Sequence, residues 1–342
     1  MTEGSPLVTV CVPTIGRMGT LEATLRSLAR QSYSECEILL LDNAAPPEAH
    51  EVLDAFVRSD PRARALTSAT RLSMFDNFQR GVDAAKGKYV AFFHDDDVYG
   101  DDFVARHVAF LEARPTAAFS GCNCTLIDGE GRTIAKRDLV RRTELWDGWR
   151  YIAALFALGD NVFPMQSIMF RRSLLEGDTF DPARGVHYSD YFILMRMAEQ
   201  HDVGLIGERL FELRVHDDQA SARLAGEQAL QLRTRLFYEY CGELASRWPA
   251  RAAQIDRLRL RVRSARRSAA VWMWITANNA DRAAAAKAAL DGPGLDRWLR
   301  RGLSLADRSG ASRAIRNPRA RRRLREMVYF LVPRSYGRGR TG

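Results

Sequence analysis

Long hydrophobic runs are the first thing this sequence lacks. No stretch of its 342 residues approaches the roughly 20 uninterrupted apolar residues that a membrane-spanning helix requires, which excludes a transmembrane class on sequence grounds. Residues Met1 to Pro6 show neither the basic nor the apolar region of a secretory leader, so the expectation is a protein made and kept in the cytoplasm. Cysteine is also sparse. The five residues Cys11, Cys36, Cys122, Cys124 and Cys241 are odd in number, and Cys122 and Cys124 lie too close for a usual zinc spacing, with no second pair. Reduced core thiols are expected. There is no internal repeat and no basic-aromatic module of the kind that reads nucleic acid.

What is present is enough apolar residue, 46%, to bury a full core in one large domain with an appendage or in two domains. Charge is unevenly spread. Residues 221–342 carry 27 Lys and Arg against 9 Asp and Glu, a surplus of +18, which leaves the first 220 residues with 24 against 33, or −9. This asymmetry predicts a catalytic region at 1–222 and a basic helical region at 223–342, with different partners.

The front region alternates strand and helix signals. Leu7 to Val12 is a short β-branched run closed by Pro13, as expected for a strand buried on both faces. Leu21, Leu25 and Leu28 recur at helical spacing, and Glu37 to Leu41 gives a second strand ending at Asp42-Asn43. Val52, Ala55 and Phe56 mark another helix, Ala65-Leu66 a weak strand, Phe78, Val82 and Ala85 a third helix, and Tyr89 to Phe93 a strong strand. The alternation predicts an α/β fold with a mostly parallel sheet, in which ligands sit beyond the carboxyl ends of the strands. Those ends read Pro13-Thr14, Asp42-Asn43 and His94-Asp95-Asp96-Asp97. Downstream, a helix is expected near Asp102–Arg114, strands near Ala118–Cys122 and Ser167–Phe170, a hairpin turn at Asp128 to Gly131, and a helix across Tyr191–Glu199. A strand pair follows near Val203–Ile206 and Leu210–Val215.

Three consecutive carboxylates at a strand terminus repel one another unless a cation compensates them. A hard divalent ion does so, taking one or two carboxylates and filling its shell with phosphate oxygens and water, which makes a diphosphate-bearing substrate a natural ligand. An exposed acidic turn before the helix at Asp102 is the plainer alternative.

The order Val8 to Thr14, Glu37 to Asn43 and Gly81 to Asp97 resembles the family 2 glycosyltransferases of the GT-A fold, over roughly 215 residues. The resemblance implies an inverting enzyme that uses a nucleotide-diphosphate sugar and a divalent metal, Mn²⁺ or Mg²⁺. It implies that Pro13, Thr14 and Arg17 form the first nucleotide-contacting loop, and that Asp42, with Asn43 beside it, meets the base. A carboxylate there can accept the imide N–H of uracil or thymine, which favours UDP or dTDP. Arg71 and Asn77 stand where the family closes over base and phosphates, although each can equally be a helix-start or surface residue. In the Asp-x-Asp motif, His94 takes the place of the first aspartate, Asp95 is assigned to the donor, and Asp96 is the metal ligand with Asp97 as a further candidate. Asp190 resembles the family's general base, with Ser189 in place of an acidic partner; an ordinary N-cap is the alternative. Arg214-Val-His216 resembles an Arg-x-His segment whose histidine approaches metal or diphosphate.

Trp146 and Trp149 are candidates to stack on an acceptor sugar or to join the core, and Gln166 and Ser167 are candidates to meet acceptor or donor. The acceptor class left open is a sugar, a lipid-linked molecule or a small molecule. The arginine groups at 257–267 and 319–325, the second followed by Met327 to Val332, have the composition of a helix on an anionic membrane surface, which would make the enzyme peripheral on the inner face. A solvated helical bundle is the alternative. Two other functions fit less of the sequence. A sugar-phosphate nucleotidyltransferase would open on Gly-x-Gly-x-Arg, which is absent, and a catalytically silent binding module of the same fold would not need the acidic cluster and Asp190.

Overall fold

The computed structural model describes residues 4–158, 161–175, 180, 189–216 and 227–262. The chain separates into two compact units, one of residues 1–151 with 162–222, the other of residues 152–161 with 223–342.

The first unit is built on a ten-stranded sheet. Strands β1 (Val8–Thr14), β2 (Cys36–Asn43), β3 (Ala63–Ser68) and β4 (Tyr89–Phe92) alternate with helices α1 (Met18–Ala29), α2 (Pro47–Ser59) and α3 (Met74–Ala84). Strand β1 lies between β2 and β4, all three parallel, and β3 flanks β2. The run read as a doubly buried strand is so, with Val8, Val10, Cys11 and Val12 fully buried, and Ile38, Leu39, Leu40, Tyr89 and Ala91 of the neighbouring strands are fully buried as well. Helix α3 begins where Ser73 accepts the Asp76 amide at 3.1 Å, the N-cap that orients its buried face.

Beyond β4 the sheet becomes mixed. In chain order come β5 (Val98–Tyr99), α4 (Phe103–Glu112), β6 (Ala117–Ile127), β7 (Thr133–Arg137), β8 (Glu144–Trp146), α5 (Gly148–Leu158), β9 (Ile168–Arg171), α6 (Ser189–Ala198) and β10 (Asp202–Arg214). Strand β9 runs antiparallel between β4 and β6, and β10 runs parallel to β6. The parallel architecture expected from the alternation therefore describes the front half, and the sheet continues into a mixed second half.

Two element boundaries differ from expectation. The strands read at Val203–Ile206 and Leu210–Val215 are a single strand, β10, whose register against β6 shifts between Ile206 and Arg209. The break between them, at Gly207-Glu208, is a bulge, and a Cβ on Gly207 would come within 2.8 Å of Arg142 backbone. Strand β6 runs past Cys122 to Ile127 because buried Asn123 is satisfied there, donating to Val140 and Gly207 carbonyls and accepting the Leu139 and Val140 amides.

In the second unit, α7 (Glu227–Arg247) buries Phe237, Tyr240, Cys241 and Leu244, and a further helix at 252–262 buries Ile255, Leu258 and Val262. Phe156 packs on Phe237 with ring centroids 4.7 Å apart, and Arg261 donates to the Ala153 carbonyl at 2.8 Å. The arginine groups from Arg263 onward and the run Met327 to Val332 lie outside the described residues. Among the described residues, no helix is long and apolar enough to cross a membrane.

All five cysteines are buried and free. His107 is buried in the sheet-facing side of α4 against Phe103, with Nδ1 2.7 Å from Ser120 Oγ, and burial lowers its pKa to about 3. Below the ordinary histidine pKa near 6.5, the unfolded chain takes up a proton that the folded chain refuses, so stability falls with pH through that range. Between pH 7 and pH 5 this one group removes about 2 kcal/mol. His107→Gln is expected to be less stable at pH 7 yet to lose less between pH 7 and 5, as read by urea unfolding at both values.

Candidate active site

Parallel pairing brings the polar strand ends together. Thr14 lies opposite Asp42 in the β1–β2 register, and the Phe93 amide donates to the Cys11 carbonyl at 2.8 Å, so the turn after β4 emerges beside the end of β1. That turn, His94 to Asp97, is closed by the Asp97 amide on the His94 carbonyl at 3.3 Å. Helix α1 holds it from one side: Thr20 Oγ1 donates to the Asp95 carbonyl at 2.9 Å and Thr24 Oγ1 to the Asp97 carbonyl at 2.7 Å.

The three carboxylates have different surroundings. Asp95 is buried and fully engaged by the loop after β1. Thr14 Oγ1 donates to its Oδ2 at 2.6 Å, the Ile15 amide approaches the same oxygen at 3.4 Å, and Arg17 donates to Oδ1 at 2.5 Å. Asp97, also buried, accepts the Arg214 amide on Oδ1 at 2.8 Å, while its Oδ2 makes no hydrogen bond of ordinary geometry although Gln166 approaches the carboxyl. Burial first, then the neighbouring Asp96 charge, hold the Asp97 carboxyl well above the ordinary range. Asp96 faces His216, with Nε2 3.1 Å from its Oδ2, and Arg17 Nη1 is 3.9 Å from that same oxygen.

Arg214, at the end of β10, ties the site together. Its guanidinium donates to the Asp96 carbonyl at 2.8 Å and to the Asp128 and Gly129 carbonyls at the tip of the β6–β7 hairpin, at 2.9 and 2.8 Å. The next turn of chain carries His216. The sequence marked Arg214 only as part of a motif; its organising role was visible only in three dimensions, because its partners lie 85 to 118 residues away.

A ring nitrogen of His94 and carboxylate oxygens of Asp96 and Asp97 lie within 4.8 Å of one another. His94 Nε2 and Asp97 Oδ2 are both buried and without a partner. A buried ring nitrogen and a buried carboxylate oxygen without partners in one cluster, with a carboxyl destabilised by burial and its neighbour's charge, fit a divalent cation.

Asp42 is buried at the end of β2, with Oδ1 accepting the Ala45 amide at 2.9 Å and Oδ2 3.1 Å from half-exposed His50 Nε2. His50 had no signal in the sequence beyond its type. Asn43 clamps the segment before α3, accepting the Leu72 amide at 2.7 Å and donating to the Leu72 carbonyl at 3.1 Å. Arg71 is exposed and donates to the Asn43 carbonyl at 2.9 Å. Pro13 is half-buried beside these residues on β1. Gly16 has φ +81°, and a Cβ there would come within 2.6 Å of Pro46, so this loop packs too closely on the start of α2 for a side chain.

Several residues considered for ligand contact also have partners within the fold. Asn77 is buried, donating to the Leu41 carbonyl at 3.2 Å and accepting from Arg80 at 3.0 Å. Trp149 is buried with its ring N–H on the Glu199 carbonyl at 3.2 Å, a core position among those left open to it. Ser167 is buried and caps a 3-10 turn through the Pro164 carbonyl at 2.7 Å. Trp146 is half-buried, its N–H on Glu144 at 3.1 Å and its face under Arg150 at 4.1 Å. Asp190 lies in the first turn of α6, where it accepts the Tyr191 amide at 3.0 Å, and its charge helps raise the pKa of buried Tyr151.

Residues 9–177 match the family model described as Glycosyl transferase family 2. A PGL/p-HBAD biosynthesis glycosyltransferase of Mycobacterium tuberculosis is 30% identical over 108 residues, 31% of this chain and 42% of that protein, so the chain spans less than half the length of this curated relative. Staphylococcus aureus TarS 1-349 in complex with UDP-GlcNAc superimposes with a TM-score of 0.62 at 14% identity, over 83% of this chain and 79% of that one. The mannosyltransferase PcManGT from Pyrobaculum calidifontis, in complex with GDP-Man and Mn²⁺, gives 0.56 at 17% identity, over 96% and 85%.

Replacing Arg214 by Ala would leave the Asp96, Asp128 and Gly129 carbonyls without this donor in a buried setting. A loss of about 3 kcal/mol is expected in urea unfolding. Arg214→Lys should recover little, since one ammonium cannot span the Asp96 carbonyl and the hairpin tip as a planar guanidinium does.

Proposed function

We propose, proceeding from the fact that the chain belongs to glycosyl transferase family 2, that it transfers a sugar from a nucleotide-diphosphate donor to an acceptor hydroxyl with inversion at the anomeric carbon. The observation that carries this reading is the meeting of Thr14, Arg17, Asp42, the His94–Asp97 turn and His216 at one edge of the sheet. Diphosphate, base and cation would each find complementary chemistry there.

In this reading, Asp42 accepts the imide N–H of a uracil or thymine beside His50, whose Nε2 lies 3.1 Å from Oδ2. Pro13 and Asn43 border the base, and Arg71 keeps donors free toward phosphate. Asp95 acts on the donor indirectly, by holding Arg17 and the Thr14 loop in place. Asp96, Asp97 and His216 would hold a divalent cation, Mn²⁺ or Mg²⁺, and such an ion supplies positive charge to a departing diphosphate. Asp190 removes the acceptor hydroxyl proton. The acceptor oxygen then bonds to the anomeric carbon as the bond to the diphosphate oxygen breaks, its electron pair leaving with the diphosphate, where Arg17 can meet the charge. Gln166 and the exposed edge of Trp146 are the remaining candidates near an acceptor, which would be a sugar, a lipid-linked molecule or a small molecule.

The direct check is a thermal-shift series with UDP-, dTDP- and GDP-sugars plus Mn²⁺. A donor at 100 times its Kd stabilises the native state by about 2.7 kcal/mol, a rise of several degrees. UDP- or dTDP-sugar should give the larger rise. Asp190→Asn is expected to keep that rise and lower kcat by about 10²–10⁴-fold, whereas Asp96→Ala should lose the part that depends on metal. No shift with any donor, and turnover unaffected by both substitutions, would remove the reading.

The basic region from Arg263 onward lies outside the described residues, and we propose from its composition that it docks on an anionic membrane face. Salt-sensitive binding to phosphatidylserine liposomes, lost on deleting residues 313–342, is the expected result. Equal partitioning to neutral and anionic vesicles would refute it.

A further inference from the structure

We propose that His94 is itself a metal ligand, and that imidazole nitrogen at this site selects Mn²⁺ or Co²⁺ over Mg²⁺. The inference rests on the reading above only in placing the cation at the acidic turn.

The argument begins with what the ring of His94 lacks. Among the described residues its nitrogens make no hydrogen bond, whereas the His107 ring, whose Nε2 is likewise buried without a partner, spends Nδ1 on Ser120, and the His216 ring has Asp96. Its main-chain amide is spoken for, donating to Tyr99 Oη at 3.0 Å, and its ring rests edge-on against Phe78 with centroids 5.8 Å apart. A histidine recruited only for packing would spend a nitrogen on a neighbour, because a buried polar atom without one costs about 1–3 kcal/mol. Here Nε2 is buried and unpartnered, and so is Oδ2 of Asp97, itself fully buried. Ligand atoms from His94, Asp96 and Asp97 fall within 4.8 Å of one another, close enough to share one ion. The second imidazole, His216, approaches Asp96 from the other end of the chain segment.

The donor set is therefore mixed. Carboxylates alone suit Mg²⁺ and Ca²⁺, which bind oxygen and hold their water strongly. Each imidazole nitrogen shifts the balance toward ions that accept nitrogen, and Co²⁺ gains more than Mn²⁺ along the Irving–Williams order. A carboxylate in place of His94 would make an oxygen-rich site in which Mg²⁺ competes on better terms.

The test uses the full chain and metal ions alone, without any sugar donor, so its outcome is independent of whether sugar is transferred. Calorimetric titration is expected to give Co²⁺ and Mn²⁺ affinities about tenfold or more above Mg²⁺, with His94→Asp narrowing that ratio severalfold. Pulsed EPR of bound Mn²⁺ supplies a readout that does not need the His94 variant to fold. Nitrogen modulation should be present in the unaltered protein, persist in His216→Asn, and disappear in His94→Gln/His216→Asn. Absence of nitrogen modulation in the unaltered protein, its loss in His216→Asn alone, failure of Mn²⁺ to bind, or an unchanged selectivity ratio in a folded His94→Asp would each overturn the proposal.

Discussion

Everything at this site depends on keeping three adjacent carboxylates in one tight turn. Left to themselves they would repel, and all three are buried, away from the water that would screen them. The chain meets this constraint by giving each carboxylate a different partner from a different part of the sequence. Asp95 is compensated by the loop after β1, through a hydroxyl and a guanidinium, and Asp97 by a backbone amide of β10. Asp96 is left facing an imidazole and the edge of that same guanidinium. The flanking pair thus builds the turn, and the central residue is presented by it.

The sheet makes this division possible. Parallel strands β1, β2 and β4 end at one edge, so residues separated by about eighty positions become neighbours without any long loop of their own. Strand β10 then arrives alongside β6 and delivers Arg214 and His216 to the opposite side of the turn. Its bulge at Gly207 matters here. A strand thirteen residues long must absorb a shift in register if both its ends are to meet their partners, and the bulge absorbs it away from the site.

Much of the front half was legible because its signals are local. Short β-branched runs, helical spacing and the polar residues closing each strand can be read one element at a time, and Thr14, Asp42 and the acidic turn were located that way. The second half was less legible because its order is non-local. Nothing in Gly207-Glu208 distinguishes a bulge from a turn until the neighbouring Arg142 backbone is known, and polar Asn123 breaks an apolar pattern whose continuation depends on amides sixteen and seventeen residues on. The same applies to side chains. Trp149 and Ser167 have the chemistry of ligand-facing residues, but their hydrogen bonds go to the Glu199 and Pro164 carbonyls. His94 read as the altered member of a motif, and only its unsatisfied burial reveals it as a donor.

Charge bookkeeping around the turn explains why the alteration at position 94 is tolerable. The guanidinium of Arg214 donates to the Asp96, Asp128 and Gly129 carbonyls, and Arg17 is a cation set directly against the Asp95 and Asp96 carboxylates. Burial, and less so nearby Arg17, lower the pKa of His94 while Asp96 and Asp95 raise it; burial dominates and disfavours the charged ring. A fourth carboxylate at that position would add negative charge to a turn whose last member already resists ionising. An imidazole at that position brings a ring nitrogen to the same cluster without a further negative charge.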